Sequence, residues 1–124
     1  MEKVNIGSNR FTRVQVADEA GAGNAHHEYY ISREPQTSDE EKQPAGEFGF
    51  VRFQNGPIGE NGINGCHQED LLAIVLHRLQ SFQSGEFACR ENALAITKIE
   101  EAMHWLNART ADRQKRGVEG TSSQ

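Results

Sequence analysis

The sequence predicts an α+β protein in which a small N-terminal antiparallel sheet packs on a C-terminal antiparallel helical hairpin. Three observations predict it. Short β-favouring runs are spread over residues 1–54, two long stretches with helical apolar spacing fill residues 66–117, and a glycine-rich segment, NGPIGENGING, divides them at 55–65. At 124 residues the chain reads as one domain, the strand-rich segment and the hairpin together.

The strands come first. Residues 11–16 alternate, with Thr12, Val14 and Val16 on one side; residues 26–33 carry Tyr29, Tyr30 and Ile31; residues 48–53 make a third run. On this reading His26 and His27 belong to the second strand and face opposite sides of it. Residues 17–25 are a small-residue turn. The stretch PQTSDEEKQPAGE at 35–47 is polar and acidic with no apolar period, and is expected to be mobile.

Glycines at 56, 59, 62 and 65 raise the idea of a phosphate cradle. The segment lacks the lysine of a P-loop, however, and Glu69 and Asp70 occupy the positive end of the helix that follows. A strand-to-helix turn with left-handed glycines is the better reading.

The first hairpin helix contains LLAIVL at 71–76, apolar nearly all round, and Leu79 and Phe82 extend it. One side must meet the second helix and another must meet something else, read as the sheet plus a neighbouring subunit. The second helix is predicted from about Cys89 to about Arg116, with Ile96, Ile99, Met103 and Leu106 as its seam and Gly117 just past its end. Cys66 and Cys89 then lie at opposite ends of the hairpin, roughly 24 Å apart, too far for a disulfide. Both read as buried small hydrophobes.

Composition narrows the function classes. With 35% apolar residues and a mean hydropathy of -0.73, the chain is poorly supplied for a core of its own, so oligomerisation is expected, as a dimer at least. A formal charge of -5 argues against duplex nucleic acid as the partner. No apolar run approaches the roughly 20 residues of a membrane span, and the start, MEKVNIGSNR, has no signal-peptide core; a cytoplasmic location is expected. The five histidines are scattered, Glu100 and Glu101 diverge on their helix, and no G-x-S-x-G, H-E-x-x-H or serine-histidine-aspartate pattern occurs. No catalytic residue, metal site or cofactor is expected.

Arg109, Arg113 and Arg116 do stand out, spaced by four and three residues on one helical face. Guanidinium groups fork onto phosphates and stack on aromatic rings, although the same arginines would also complement the negative end of the helix dipole. Phe82 reads either as a pocket residue or as the last core residue of its helix. Asn92 reads either as a ligand contact or as a first-turn residue whose side chain serves the backbone.

The runs FQSGEFACRENA at the hairpin and WLNARTADRQKRGVEGT at the end resemble the hairpin domain shared by phage anti-Thoeris and anti-CBASS sponge proteins. With the strands in front, the chain is similar to the first type of Thoeris anti-defence proteins. The resemblance implies a non-enzymatic sponge that holds a cyclic ADP-ribose-type signal, glycocyclic ADP-ribose, away from its effector in the cytoplasm of the infected host. It further implies cyclic di- or trinucleotides of CBASS in separate pockets, and a hexamer built from dimers. The aromatic that stacks on adenine corresponds to Phe82, the early asparagine to Asn92 and the late arginine to Arg109. Arg113 and Arg116 continue that face, and Arg90 is a candidate for the second pocket.

Seventeen residues separate Asn92 from Arg109, roughly 26 Å of helix. A ligand of this size reaches both only if two antiparallel hairpins share the pocket. The competing readings are a hydrolase of the cyclic signal and a direct protein inhibitor of a host defence factor.

Overall fold

The computed structural model of the protein describes residues 2–7 and 10–117. The elements run β1 (Glu2–Lys3), β2 (Thr12–Val16), a 3-10 turn (Ala22–Asn24), β3 (Glu28–Arg33), α1 (Ser38–Glu41), β4 (Gly49–Arg52), α2 (Ile58–Asn61), α3 (Gln68–Gln83) and α4 (Arg90–Lys115). The protein is α+β, with four antiparallel strands followed by two packed helices. The chain divides into two compact units, Met1–Cys66 and His67–Gln124.

In the first unit the strands pair in chain order, β1-β2-β3-β4. The register sets Val14 opposite Ile31, Val16 opposite Tyr29, and Tyr29 opposite Val51. Directly opposed residues share a face, so these side chains form one apolar surface, which the Tyr29–Phe53 edge contact at 5.8 Å extends. Thr12, Val14 and Val16 share a side as their alternation predicts. The other face is mixed: Arg13 pairs with Ser32, Gln15 with Tyr30, and Glu28 with Arg52, the last joined by an ion pair of 3.3 Å, while Tyr30 and Phe50 lie opposite each other with ring centroids 5.1 Å apart.

Among the described residues, the buried polar ones are Gln15, His27 and Ser32, and no hydrophobic side chain is buried. The shortage of core material that the composition suggests is therefore present in both units.

The strands differ from expectation at their ends. β1 is too short and polar to carry a signal, and is fixed by pairing with β2 and by the Lys3–Glu34 ion pair of 2.8 Å. His26 and His27 precede β3 rather than alternate along it. The Asp18 carboxylate explains why: it accepts hydrogen bonds from the backbone N–H groups of His27 and Glu28 at 3.0–3.2 Å and closes a turn there. His26 Nδ1 lies 2.9 Å from the Asp18 carbonyl, and His27 Nε2 lies 3.0 Å from that of Ala22.

The 35–47 loop, expected to be mobile, is tied down. Thr37 caps α1 by accepting from the Glu40 N–H at 3.2 Å, and the Gly46 N–H donates to the Ser32 hydroxyl at 2.7 Å. Arg33 donates through Nε and Nη2 to the two Glu47 oxygens at 2.9 and 3.0 Å, and reaches Glu40 at 3.4 Å. The acidic residues that make the segment look solvated are the counter-ions of an arginine on β3. Composition cannot register that pairing.

These contacts predict an acid-sensitive fold. The hydrogen bond from Arg33 holds Glu47 below its ordinary value of 4.5, and the one from Lys3 does the same for Glu34. For Asp18 burial acts upward, but the backbone N–H groups of His27 and Glu28 outweigh it and leave the group below 3.8. Depressed carboxylates stabilise the native state above their unfolded values, and that contribution is lost as pH falls through the folded ones. The melting temperature should be level at neutral pH and fall below about pH 4; Glu47→Gln should be less stable at neutral pH and show a smaller acid-induced drop. An equal drop in both proteins would show that the clasp contributes nothing.

The 55–65 segment is the expected turn, with Gly56 at φ 84° and Gly62 at φ 72°. The Gln54 amide donates to the carbonyls of Gly56 and Gly62, and Asn64 exchanges hydrogen bonds with the backbone of Asn55. Phe53 and Cys66 form a parallel bridge above Gly65. A Cβ on Gly65 would meet the Phe53 carbonyl at 2.5 Å, so only glycine fits there.

Candidate functional site

The second unit is a two-helix hairpin. α3 opens where the Asp70 carboxylate accepts from the His67 N–H at 2.8 Å, which occupies the dipole's positive end as expected. Leu72, Leu76 and Leu79 on α3, and Ile96, Ile99, Met103 and Leu106 on α4, are among the half-buried apolar positions of the packed pair. The apolar run of α3 also has an uncovered side, with Ile74 65% and Val75 47% exposed; on α4 Leu94 and Trp105 are exposed as well.

At the turn between the helices, Gln83 grips Cys89 from both sides. Its Oε1 accepts from the Cys89 N–H at 2.9 Å and its Nε2 donates to the Cys89 carbonyl at 3.1 Å. Cys89 is the cap of α4, its Sγ accepting from the Asn92 N–H at 3.4 Å. It is exposed, which corrects its reading as a buried small hydrophobe; Cys66 is half-buried. A cap position needs an acceptor near water, and the thiol supplies one.

Phe82 lies in the last turn of α3, half-buried, with its ring edge-on to Phe87 at 6.4 Å and the Arg78 guanidinium carbon 5.1 Å from its centroid. Asn92 lies in the first turn of α4, and its Nδ2 donates to the Phe87 carbonyl at 3.5 Å. The hairpin turn therefore gathers Arg78, Phe82, Phe87 and Asn92 within one chain of contacts. Asn92 does serve the backbone, and through Phe87 it also supports the aromatic cluster. Arg90, the first residue of α4, is exposed at the same end.

The arginines at the far end of α4 are less uniform than their spacing suggests. Arg109 is exposed and Arg113 half-buried. Arg116 follows the helix as its cap residue and bonds Asp112 at 3.0 Å. Asp112 thus offsets part of the basic face. Gly117 takes φ 75°, the left-handed geometry expected just past a helix end.

Sequence reasoning missed Arg78, Gln83 and Phe87. Arg78 and Phe82 are spaced i, i+4, a pattern that could have identified the pair; the Gln83 clamp and the position of Phe87 depend on the turn's conformation. The sheet unit has its own cavity of about 200 Å³, lined by His27, Glu28, Arg52, Phe53, Asn55 and Asn64, none of them singled out as a ligand residue from sequence. Among the described residues there is no metal-holding group of three or more His, Cys, Asp or Glu, and no helix long and apolar enough to cross a membrane.

An antiparallel hairpin with an aromatic and arginine tip, following a strand-rich segment, defines a hairpin-domain protein. The profile described as "Acb2/Tad1, hairpin domain" matches residues 47–111, more than half the chain, and the chain belongs to that family. The protein is also similar to Thoeris anti-defense 1 of Bacillus phage SBSphiJ7, with 61% identity over 80 residues. That match takes in 64% of this chain and 56% of the phage protein, so it spans little more than half of the relative's length. The family match starts ahead of α3, within the strand-rich half, and stops before the RGVEGT run; residues 118–121 of that run lie outside the described residues.

Proposed function

We propose that this protein is a non-enzymatic sponge that captures a cyclic ADP-ribose-type signal, glycocyclic ADP-ribose, and so blocks Thoeris defence from within the cytoplasm of an infected bacterium. The carrying observation is the hairpin tip in a chain of the Acb2/Tad1 hairpin family: a half-buried Phe82 linked to Asn92 through Phe87, at the end of a helix pair with an uncovered apolar side. A ring offers a stacking surface to adenine and a carboxamide offers hydrogen bonds, while neither supplies a nucleophile or a general base.

Arg109, continued by Arg113 and Arg116, completes the pocket from a second subunit whose hairpin runs the other way. The exposed Ile74 and Val75 favour such an assembly, a dimer at minimum and a hexamer built from dimers in the fuller version. Arg90 is assigned to a second pocket for cyclic di- or trinucleotides. As the first residue of α4 it sets a positive charge at the positive end of the dipole, an unfavourable position that anion binding would reverse.

The deciding experiment incubates protein with signal, removes free ligand, heat-denatures the complex and analyses what is released. Recovery of intact signal in stoichiometric amount is the expected result. Release of a linear product would identify a hydrolase, and no retained ligand would leave direct inhibition of a host protein as the reading.

A further inference from the structure

Arg78 stands one helical turn before Phe82, at the i, i+4 spacing that puts both side chains on one face of α3. Its guanidinium carbon lies over the Phe82 ring at 5.1 Å. Among the described residues Arg78 makes no ion pair, whereas Arg33, Arg52 and Arg116 each meet a carboxylate. An exposed arginine held over a ring has its position fixed by the ring and its hydrogen-bonding capacity unspent, because stacking uses the flat face of the group and the N–H donors point outward in its plane.

We infer that Arg78 is a phosphate-binding residue of the hairpin-tip site. It and Phe82 together recognise the two ends of a nucleoside phosphate, the base on the ring and a phosphate oxygen on the guanidinium. This rests on the sponge reading and deepens it. The distant Arg109 would not then be the sole cation for the ligand, since each hairpin brings one of its own to the aromatic. A base that takes the ring face away from Arg78 leaves Arg78 where it is. A base that takes the covered face moves the guanidinium by a side-chain rotation toward the phosphate, exchanging a cation–ring contact for a charge-assisted hydrogen bond.

The test titrates glycocyclic ADP-ribose into the full-length wild-type protein and into Arg78→Ala and Arg78→Lys, by calorimetry at low and high salt, with melting curves for each. Arg78→Ala should weaken binding about ten- to hundredfold, the loss of a hydrogen bond to a charged group, and should reduce the salt dependence of what remains. Arg78→Lys should keep the wild-type salt dependence while losing part of the affinity, because an ammonium keeps the charge without the fork. A loss of affinity in Arg78→Ala with unchanged salt dependence would mean that Arg78 merely holds the ring, and wild-type affinity in that variant would remove it from the site; either result overturns the assignment. Signal that fails to bind wild-type protein at all would overturn the sponge reading along with it.

Discussion

Replacing Phe82 with Ala should weaken binding of the cyclic signal by about one to two decades, the loss of base stacking worth on the order of 1–3 kcal/mol. The packing around the residue sets what else must happen. Phe82 is half-buried, touches Phe87 edge-on and carries the Arg78 guanidinium, so its removal loosens the turn and lowers the melting temperature to some extent. Phe82→Leu separates the two effects, since it retains apolar volume without an aromatic face. Leu should restore most of the melting temperature and little of the affinity. A leucine variant that recovers both would make Phe82 a packing residue and remove it from the site.

Mixed dimers of Asn92→Ala with Arg109→Ala should recover wild-type affinity at half their sites. With Asn92 from one subunit and Arg109 from the other, a heterodimer of the single mutants holds one pocket with both defects and one with neither. A pocket confined to one hairpin would leave each site with one defect, and calorimetry on tandem-purified heterodimers would find no tight sites. The structure adds a control. Asn92 also donates to the Phe87 carbonyl, so Asn92→Ala can disturb the aromatic cluster as well as remove a contact; a melting curve of Asn92→Ala reads the loss of loop support apart from the loss of ligand contact.

The hairpin was legible in the sequence because its information is local and periodic. Ile96, Ile99, Met103 and Leu106 recur at the helix period, and α4 ends within a residue of the expected position. The three longer strands were legible for the same reason, and their ends were not. Where β3 begins depends on the Asp18 carboxylate meeting the N–H groups of His27 and Glu28 across a turn, a contact that no strand propensity encodes. The 35–47 loop was misread because Glu40 and Glu47 look like solvent-loving residues until Arg33 is known to lie beside them.

For the candidate site, Phe82, Asn92 and the arginines were proposed from sequence and resemblance together. The partners that hold them could not. Gln83 and Phe87 acquire their roles only when the chain reverses between two helices, and Asp112 reduces the arginine face by lying next to it in space as well as in sequence.

The two hydrogen bonds between Gln83 and Cys89 bear on speed. A decoy that intercepts a messenger competes with the messenger's own receptor for each molecule released, and the winner is decided by encounter rates before affinities matter. A turn that had to order itself around the ligand would add a slow step to every capture. Here one glutamine side chain fixes the turn through both backbone groups of Cys89. If the proposed ligand binds at this end of the hairpin, its association is then limited by diffusion and orientation rather than by loop closure. On the proposed sponge reading, Gln83 need never touch the captured molecule to influence how many messengers escape.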